Sequence, residues 1–176
     1  YQDALPIGHV GITAYDDSDV FDLDAPKLSQ EAFLAAHPEF QASMTRPGAV
    51  ELSGDVVIDG VIIIPETVPL ILQPGTDITM RPFASILSYG GLIAQGTPQA
   101  RITIHGDESG KAWGTLAVVR AAIPVEMAYI DVSGGGQAQI NSTLFTGGVA
   151  VYNTDLTLSQ CSIADMYSED GINLKN

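Results

Sequence analysis

Val149–Ile172 reads VAVYNTDLTLSQCSIADMYSEDGI. It holds three apolar mini-strands (Val149–Val151, Leu156–Leu158, Ser162–Ile163) separated by Asn-, Ser-, Gln- and Asp-bearing bends. Alternation within a strand sends one side chain inward and the next outward. Three brief strands and three bends in about 22 residues are the arithmetic of one turn of a parallel β-helix. A single turn cannot bury its inner face, so such turns must stack on one another around a shared core.

The same texture runs back to Gly54. Short segments rich in Val, Ile, Leu and Thr are expected at Val56–Ile58, Val61–Ile64, Pro69–Leu72, Asp77–Met80, Ser85–Leu87, Leu92–Ala94, Arg101–Ile104 and Thr115–Val119. Further ones follow at Glu126–Asp131, Gln139–Leu144, Gly148–Val151, Asp155–Leu158, Ser162–Ile163 and Ile172–Leu174. Val56, Ile78, Ile102, Leu116, Ile140 and Ile163 recur at roughly 14–24 residues, a weak repeat. The fold expected is all-β: a right-handed parallel β-helix, or solenoid, with a short N-terminal capping helix. A β-sandwich is the alternative, although its strands would be longer.

Composition shifts near residue 50, which divides the chain into 1–50, an acidic segment with the capping helix, and 51–176, the β-helix. Ser29 is placed to cap that helix, Glu31 suits its positive end and Pro38 stops it. Phe33, Ala36 and Phe40 share a face that could cover the first strand edge.

The 176 residues carry 21 acids against 7 Lys plus Arg, a net charge of −14. No basic cluster exists to neutralise phosphates, so nucleic acid is excluded as a natural partner. No apolar run approaches membrane-spanning length, so no membrane insertion is expected within this sequence. One cysteine, Cys161, forbids an internal disulfide and fits a reduced compartment or a thiol-poor envelope protein. A first residue of Tyr1 fits a removed leader, an upstream anchor or a trimmed boundary.

Pro65–Thr76 (PETVPLILQPGT), Gly91–Pro98 (GLIAQGTP), Arg101–Ile104 (RITI) and Trp113–Leu116 (WGTL) together resemble pectin-lyase-like right-handed β-helix proteins. Ser168–Asn176 (SEDGINLKN) resembles a coil of envelope proteins that carry a β-helix beside a spore-coat-H-like kinase region. The kinase motifs are absent here, so that activity is not carried over. The resemblance implies an extracytoplasmic location: secreted, periplasmic or cell-surface. It also implies that further coils would follow Asn176, or that the open coil pairs with another copy as a homo-oligomer. The fold hosts enzymes and non-catalytic modules alike, so it does not fix a function.

Candidate chemistry is sparse. Asp16, Asp17, Asp19, Asp22 and Asp24 form the densest acidic run and are candidate metal ligands, for which calcium is the suited ion. Their spacing departs from an EF-hand, and a solvated acidic face is the plainer reading. No other cofactor is implied. Asp165, Glu169 and Asp170 are candidate catalytic acids, against the plainer reading of turn-forming carboxylates. In pectate-lyase-like enzymes such acids bind calcium and an Arg or Lys takes the proton. A glycosidase would need two carboxyls at a set separation, with Asp131 and Asp155 as further candidates. Trp113, Tyr129, Tyr152 and Tyr167 are candidate ligand-binding aromatics, able to stack on sugar rings, or else core and turn residues. Asn141, Asn153 and Asn173 suit coil bends. Cys161 suits a core position. The expected function is a non-catalytic extracytoplasmic module, carbohydrate-binding or structural, with polysaccharide as partner. The alternative is a polysaccharide lyase or glycosidase.

Overall fold

The structure, a computed structural model, describes residues 25–176. The acidic run at Asp16, Asp17, Asp19, Asp22 and Asp24 lies outside the described residues. In chain order the elements are α1 (Gln30–Ala36), β1 (Gln41–Ala42), β2 (Val50–Leu52), β3 (Asp55–Ile58), β4 (Val61–Ile64), β5 (Leu70–Leu72), β6 (Asp77–Met80) and β7 (Ser85–Ser88). They continue as β8 (Leu92–Gln95), β9 (Ile102–Gly106), β10 (Leu116–Val119), β11 (Val125–Ala128), β12 (Ile130–Ser133), β13 (Ala138–Ile140) and β14 (Thr143–Phe145). The last are β15 (Gly147–Tyr152), β16 (Leu156–Ser159), β17 (Ser162–Ala164) and β18 (Asp170–Lys175). The described chain is therefore all-β apart from one short helix.

Three parallel arrays make up the body. The first runs β2-β5-β8-β11-β16, the second β3-β6-β9-β12-β17 and the third β4-β7-β10-β15-β18. Leaving aside the β13–β14 hairpin, successive strands visit the three arrays in rotation. Each array contributes an inward column of five side chains. Leu52, Leu72, Ala94, Met127 and Leu158 stack in the first. Val56, Ile78, Ile104, Val132 and Ile163 stack in the second. Ile62, Ile86, Leu116, Val149 and Ile172 stack in the third. The first four members of each column belong to one buried cluster. Burial of each Val, Leu, Ile or Met side chain among them stabilises the fold by about 1.5–3 kcal/mol.

The six residues of the weak sequence repeat do not all fall in one column. Val56, Ile78 and Ile163 do share a column, but Ile104, not Ile102, stands beside Ile78. Leu116 belongs to the third array, and Ile140 to the β13–β14 hairpin. The interval is not constant: Val149 pairs with Ile172, 23 positions on, whereas Leu116 pairs with Val149, 33 positions on. The difference comes from corner insertions, which leave the core pairing intact.

At the N-terminal side, the Ser29 hydroxyl accepts from the Ala32 amide at 3.2 Å and starts α1. Phe33 and Phe40 are buried with Val50 and Leu52, their rings edge to face at 5.2 Å. Ala36 is exposed, contrary to the expected stripe, because α1 ends there and the chain turns at His37–Pro38. β1 pairs antiparallel with β2 and so occupies the edge of the first array.

The β13–β14 hairpin turns at Asn141–Ser142, whose φ of 48° and 61° suits a tight twisted hairpin. It lays Ile140 and Phe145 over Leu87, Ala117, Val119, Ala150 and Tyr152 on the outer face of the third array. The middle of that array is consequently buried on both faces, with β7, β10 and β15 buried throughout.

Candidate functional site

The outer face of the first array carries an ordered polar arrangement. Inward Leu52, Leu72 and Ala94 alternate with outward neighbours, so one outward column reads Glu51, Ile71, Ile93, Glu126, Thr157. Two stacked isoleucines thus lie between the two glutamates, of which Glu51 is buried and Glu126 half-buried. Strands about 4.8 Å apart place Glu51 and Glu126 about 14 Å from each other along the stack.

Glutamines fix the carboxylates. Glu51 accepts from Gln41 Nε2 at 3.2 Å and from Gln73 Nε2 at 2.8 Å. Glu126 accepts from Gln95 Nε2. Each amide spans from one strand to the next, so the planar polar groups lie along the face in a set order. The result is a row of donors and acceptors beside an apolar strip.

A loop forms one wall. The Ser43 hydroxyl accepts from the Thr45 and Arg46 amides, both at 3.3 Å, and the Ser43 amide donates to Ala49 O at 2.9 Å. This knot holds exposed Arg46 beside Ile71, Ile93, Gln73 and Gln95, around a groove of about 450 Å³. The turn at Pro74–Gly75 closes the end of the groove. It is held by Thr76 Oγ1, which donates to Gln73 O at 2.6 Å, and Gly75 adopts a φ of 77°.

A second, smaller cavity of about 220 Å³ lies where the second array turns toward the third. His105, Asp107, Lys111, Ser133, Asp165 and Tyr167 line it. His105 is held on both ring nitrogens, by Asp77 Oδ1 and Gly106 O, each at 2.8 Å. The Ser109 hydroxyl and amide hold the Asp107 carboxyl below its ordinary range.

The sequence candidates fall in different places. Asp165 lines the second cavity with Tyr167, whereas Glu169 is exposed and Asp170 accepts from Asn173 Nδ2 at 2.9 Å. Trp113 and Tyr152 are buried, not displayed on an outer face. The Trp113 indole donates to Ser133 O at 2.8 Å, and Tyr152 stacks on Phe145 at 5.2 Å with the Lys175 ammonium 4.6 Å from its ring centroid. Tyr129 is half-buried at a corner, its φ 51°, with Arg101 6.0 Å from the ring centroid. Tyr167 is exposed. The four aromatics therefore do not make one stacking face. Asn141 and Asn153 occupy left-handed bends as their chemistry allows, but Asn173 lies within β18. Cys161 packs against the core.

Asp131 is engaged by Arg101, Nε to Oδ2 at 2.7 Å and a terminal nitrogen to Oδ1 at 2.6 Å. The hydrogen-bonded guanidinium holds the Asp131 carboxyl below the usual range. A depressed carboxyl stabilises the fold above its unfolded value and loses that contribution as pH falls through the folded one. Asp131→Asn is therefore expected to flatten the acid limb of the stability–pH curve below about pH 4. The change at neutral pH should be within about 1 kcal/mol, because the pair is partly solvated. Urea titrations at stepped pH check this.

Among the described residues no group of three or more His, Cys, Asp or Glu side chains is gathered as a metal site. No helix among them is long and apolar enough to cross a membrane. Sequence reasoning missed the Gln–Glu face and its Arg46 wall. The signal was present as Glu51, Gln73 and Gln95 at 22-residue spacing, the interval by which Val56 and Ile78 stack. No protein-family model, curated protein or solved structure matches this chain.

Proposed function

We propose that the chain is an extracytoplasmic, right-handed parallel β-helix that binds polysaccharide without turning it over, along the groove on the first array. The winding reading rests on the rotation of strands among three arrays and on the strong right-handed preference of parallel crossovers. The similarity of PETVPLILQPGT and its companion segments to pectin-lyase-like proteins supports the same reading. The observation that carries the binding reading is the Ile71–Ile93 floor with Gln73 and Gln95 beside it under Arg46, the glutamines held in turn by Glu51 and Glu126. Sugars offer hydroxyls at their rims and C–H faces at their rings, and this face offers planar polar groups beside an apolar strip. Pocket-like sites commonly join an apolar lining to a few fixed polar groups.

Binding to a panel of immobilised neutral and acidic polysaccharides is the test. Arg46→Ala and the double variant Gln73→Ala/Gln95→Ala should each weaken retention about tenfold or more, since each removes hydrogen bonds worth about 1–3 kcal/mol. Lys27→Ala, away from the groove, should leave it unchanged. Absence of binding across the panel, or binding indifferent to these changes, would refute the reading.

A lyase or glycosidase is the second reading, favoured by one observation: Asp165, Tyr167, Lys111 and His105 share a cavity. It requires polysaccharide turnover that is lost in Asp165→Asn.

A further inference from the structure

The carboxylates behind the groove are satisfied by amides alone. Glu51, 8 % exposed, accepts from Gln41 and Gln73, and half-buried Glu126 accepts from Gln95. Among the described residues no lysine, arginine or histidine forms an ion pair with either glutamate. An amide hydrogen bond satisfies the lone pairs of a carboxylate but leaves its charge in place. A charge withdrawn from solvent is also screened much less than an exposed one. The face therefore holds two uncompensated negative charges, one at each end of the isoleucine strip.

Those carboxylates also fix the sense of the amides. Gln73 and Gln95 follow Leu72 and Ala94, which pair in register. Glutamines so placed on neighbouring strands can stack amide on amide. Here they reach apart, Gln73 back to Glu51 on β2 and Gln95 forward to Glu126 on β11. A carboxylate only accepts, so each glutamine must direct Nε2 toward it and Oε1 elsewhere. Neither Oε1 has a partner among the described residues, and both side chains line the groove.

We infer that Glu51 and Glu126 make the groove selective for neutral polysaccharide over acidic polysaccharide. They are positioning residues, acting through Gln73 and Gln95 and through their own charge. The inference rests on the groove reading above and names its ligand class. Hydroxyls of a neutral sugar donate to the two Oε1 atoms, and a ring or hydroxyl oxygen accepts from Arg46. A uronate or sulfate group instead meets carbonyl oxygens with carboxylates behind them. Arg46 is the one cation lining the groove among the described residues, and its exposure to solvent weakens what it can offset. The net charge of −14 adds a long-range repulsion of the same sign.

The test compares one uronate-containing polysaccharide with its carboxyl-reduced form, which keeps the linkages and the chain length and loses the charge. Isothermal titration calorimetry reads the affinity of the full chain for each. The carboxyl-reduced form should bind about tenfold tighter or more, since like charges brought together at an interface are strongly disfavoured. The double variant Glu51→Gln/Glu126→Gln removes both charges at nearly constant volume and frees the glutamines to turn over. The ratio of its two affinities should fall about tenfold, toward equality. Glu126→Gln alone, at the half-buried position, should lower the ratio about threefold. Circular dichroism and the melting temperature establish that each variant folds. A changed ratio is not what lost packing would produce, because both glycans meet the same fold. An acidic form bound as tightly as the neutral one, or a preference unchanged in both variants, would overturn the inference and leave the groove reading standing. Binding of neither form would remove both.

Discussion

Replacing Trp113 with alanine should lower the stability of the fold by about 4 kcal/mol, within the range for deleting a buried large aromatic. Trp113 is 1 % exposed and bridges to Gly135, at the corner where one turn of the chain sits on the next. Its indole also satisfies Ser133 O, which would be left without that donor. An acceptor stranded in this way adds its own penalty. For a chain of this size the melting temperature should fall by about 8–16 °C. Trp113→Phe keeps most of the volume and should lose less than half as much. Thermal melts followed by circular dichroism, not by tryptophan emission, measure both. A loss below about 2 kcal/mol for the alanine variant would mean that the corner closes over the gap.

Gly90→Ala should be nearly as damaging, for a different reason. A Cβ at Gly90 would lie 2.0 Å from Val68 O and 2.4 Å from Val68 C. Both atoms are backbone, in a turn closed by the Val68 amide donating to Pro65 O at 3.0 Å. Neither can swing aside as a side chain would. The cost expected is about 3 kcal/mol, the upper end for forced overpacking. Gly60→Ala is the comparison. Gly60 has a φ of 94° with nothing within 4 Å of its would-be Cβ. There only backbone strain is felt, about 1–2 kcal/mol. Urea midpoints of the two variants should therefore separate clearly, with Gly90→Ala the lower. Equal midpoints would show that the turn holding Val68 yields.

Short-range periodicity made most strands legible. Asp77–Met80 alternates half-buried and buried positions, and its expected limits match β6. Segments at Val61–Ile64 and Asp155–Leu158 were equally readable from their β-branched and leucine content. The expected strand at Glu126–Asp131 is instead two, because Tyr129 adopts a φ of 51° and turns the chain from the first array to the second. Tyrosine carries no signal for that conformation, which the stacked neighbours impose. The expected strand at Gln139–Leu144 is a hairpin, for which Asn141–Ser142 is a weaker mark than Asn-Gly. β2 was missed because Val50–Leu52 is brief and has a glutamate at its centre. That glutamate holds the groove residue Gln73, so one omission hid both the strand and the support of the candidate site.

The site was less legible for a physical reason. Alternation assigns a residue to an inner or outer face, but side chains meet across turns only when the length of each turn is known. Those lengths vary here, so Trp113 and Tyr152, attractive as displayed aromatics, lie buried beneath inserted or adjoining segments. The acids behave likewise. Asp165 reaches a cavity with His105, sixty positions earlier, while Asp170, only five positions on, does not line it.

The β13–β14 hairpin separates two properties that usually change together. Lengthening or shortening it alters what covers one outer wall, while Leu116 remains beside Val149 in the interior. Evolution and protein engineers alike can therefore redecorate that wall by grafting loops between Gly136 and Gly147 without redesigning the hydrophobic spine.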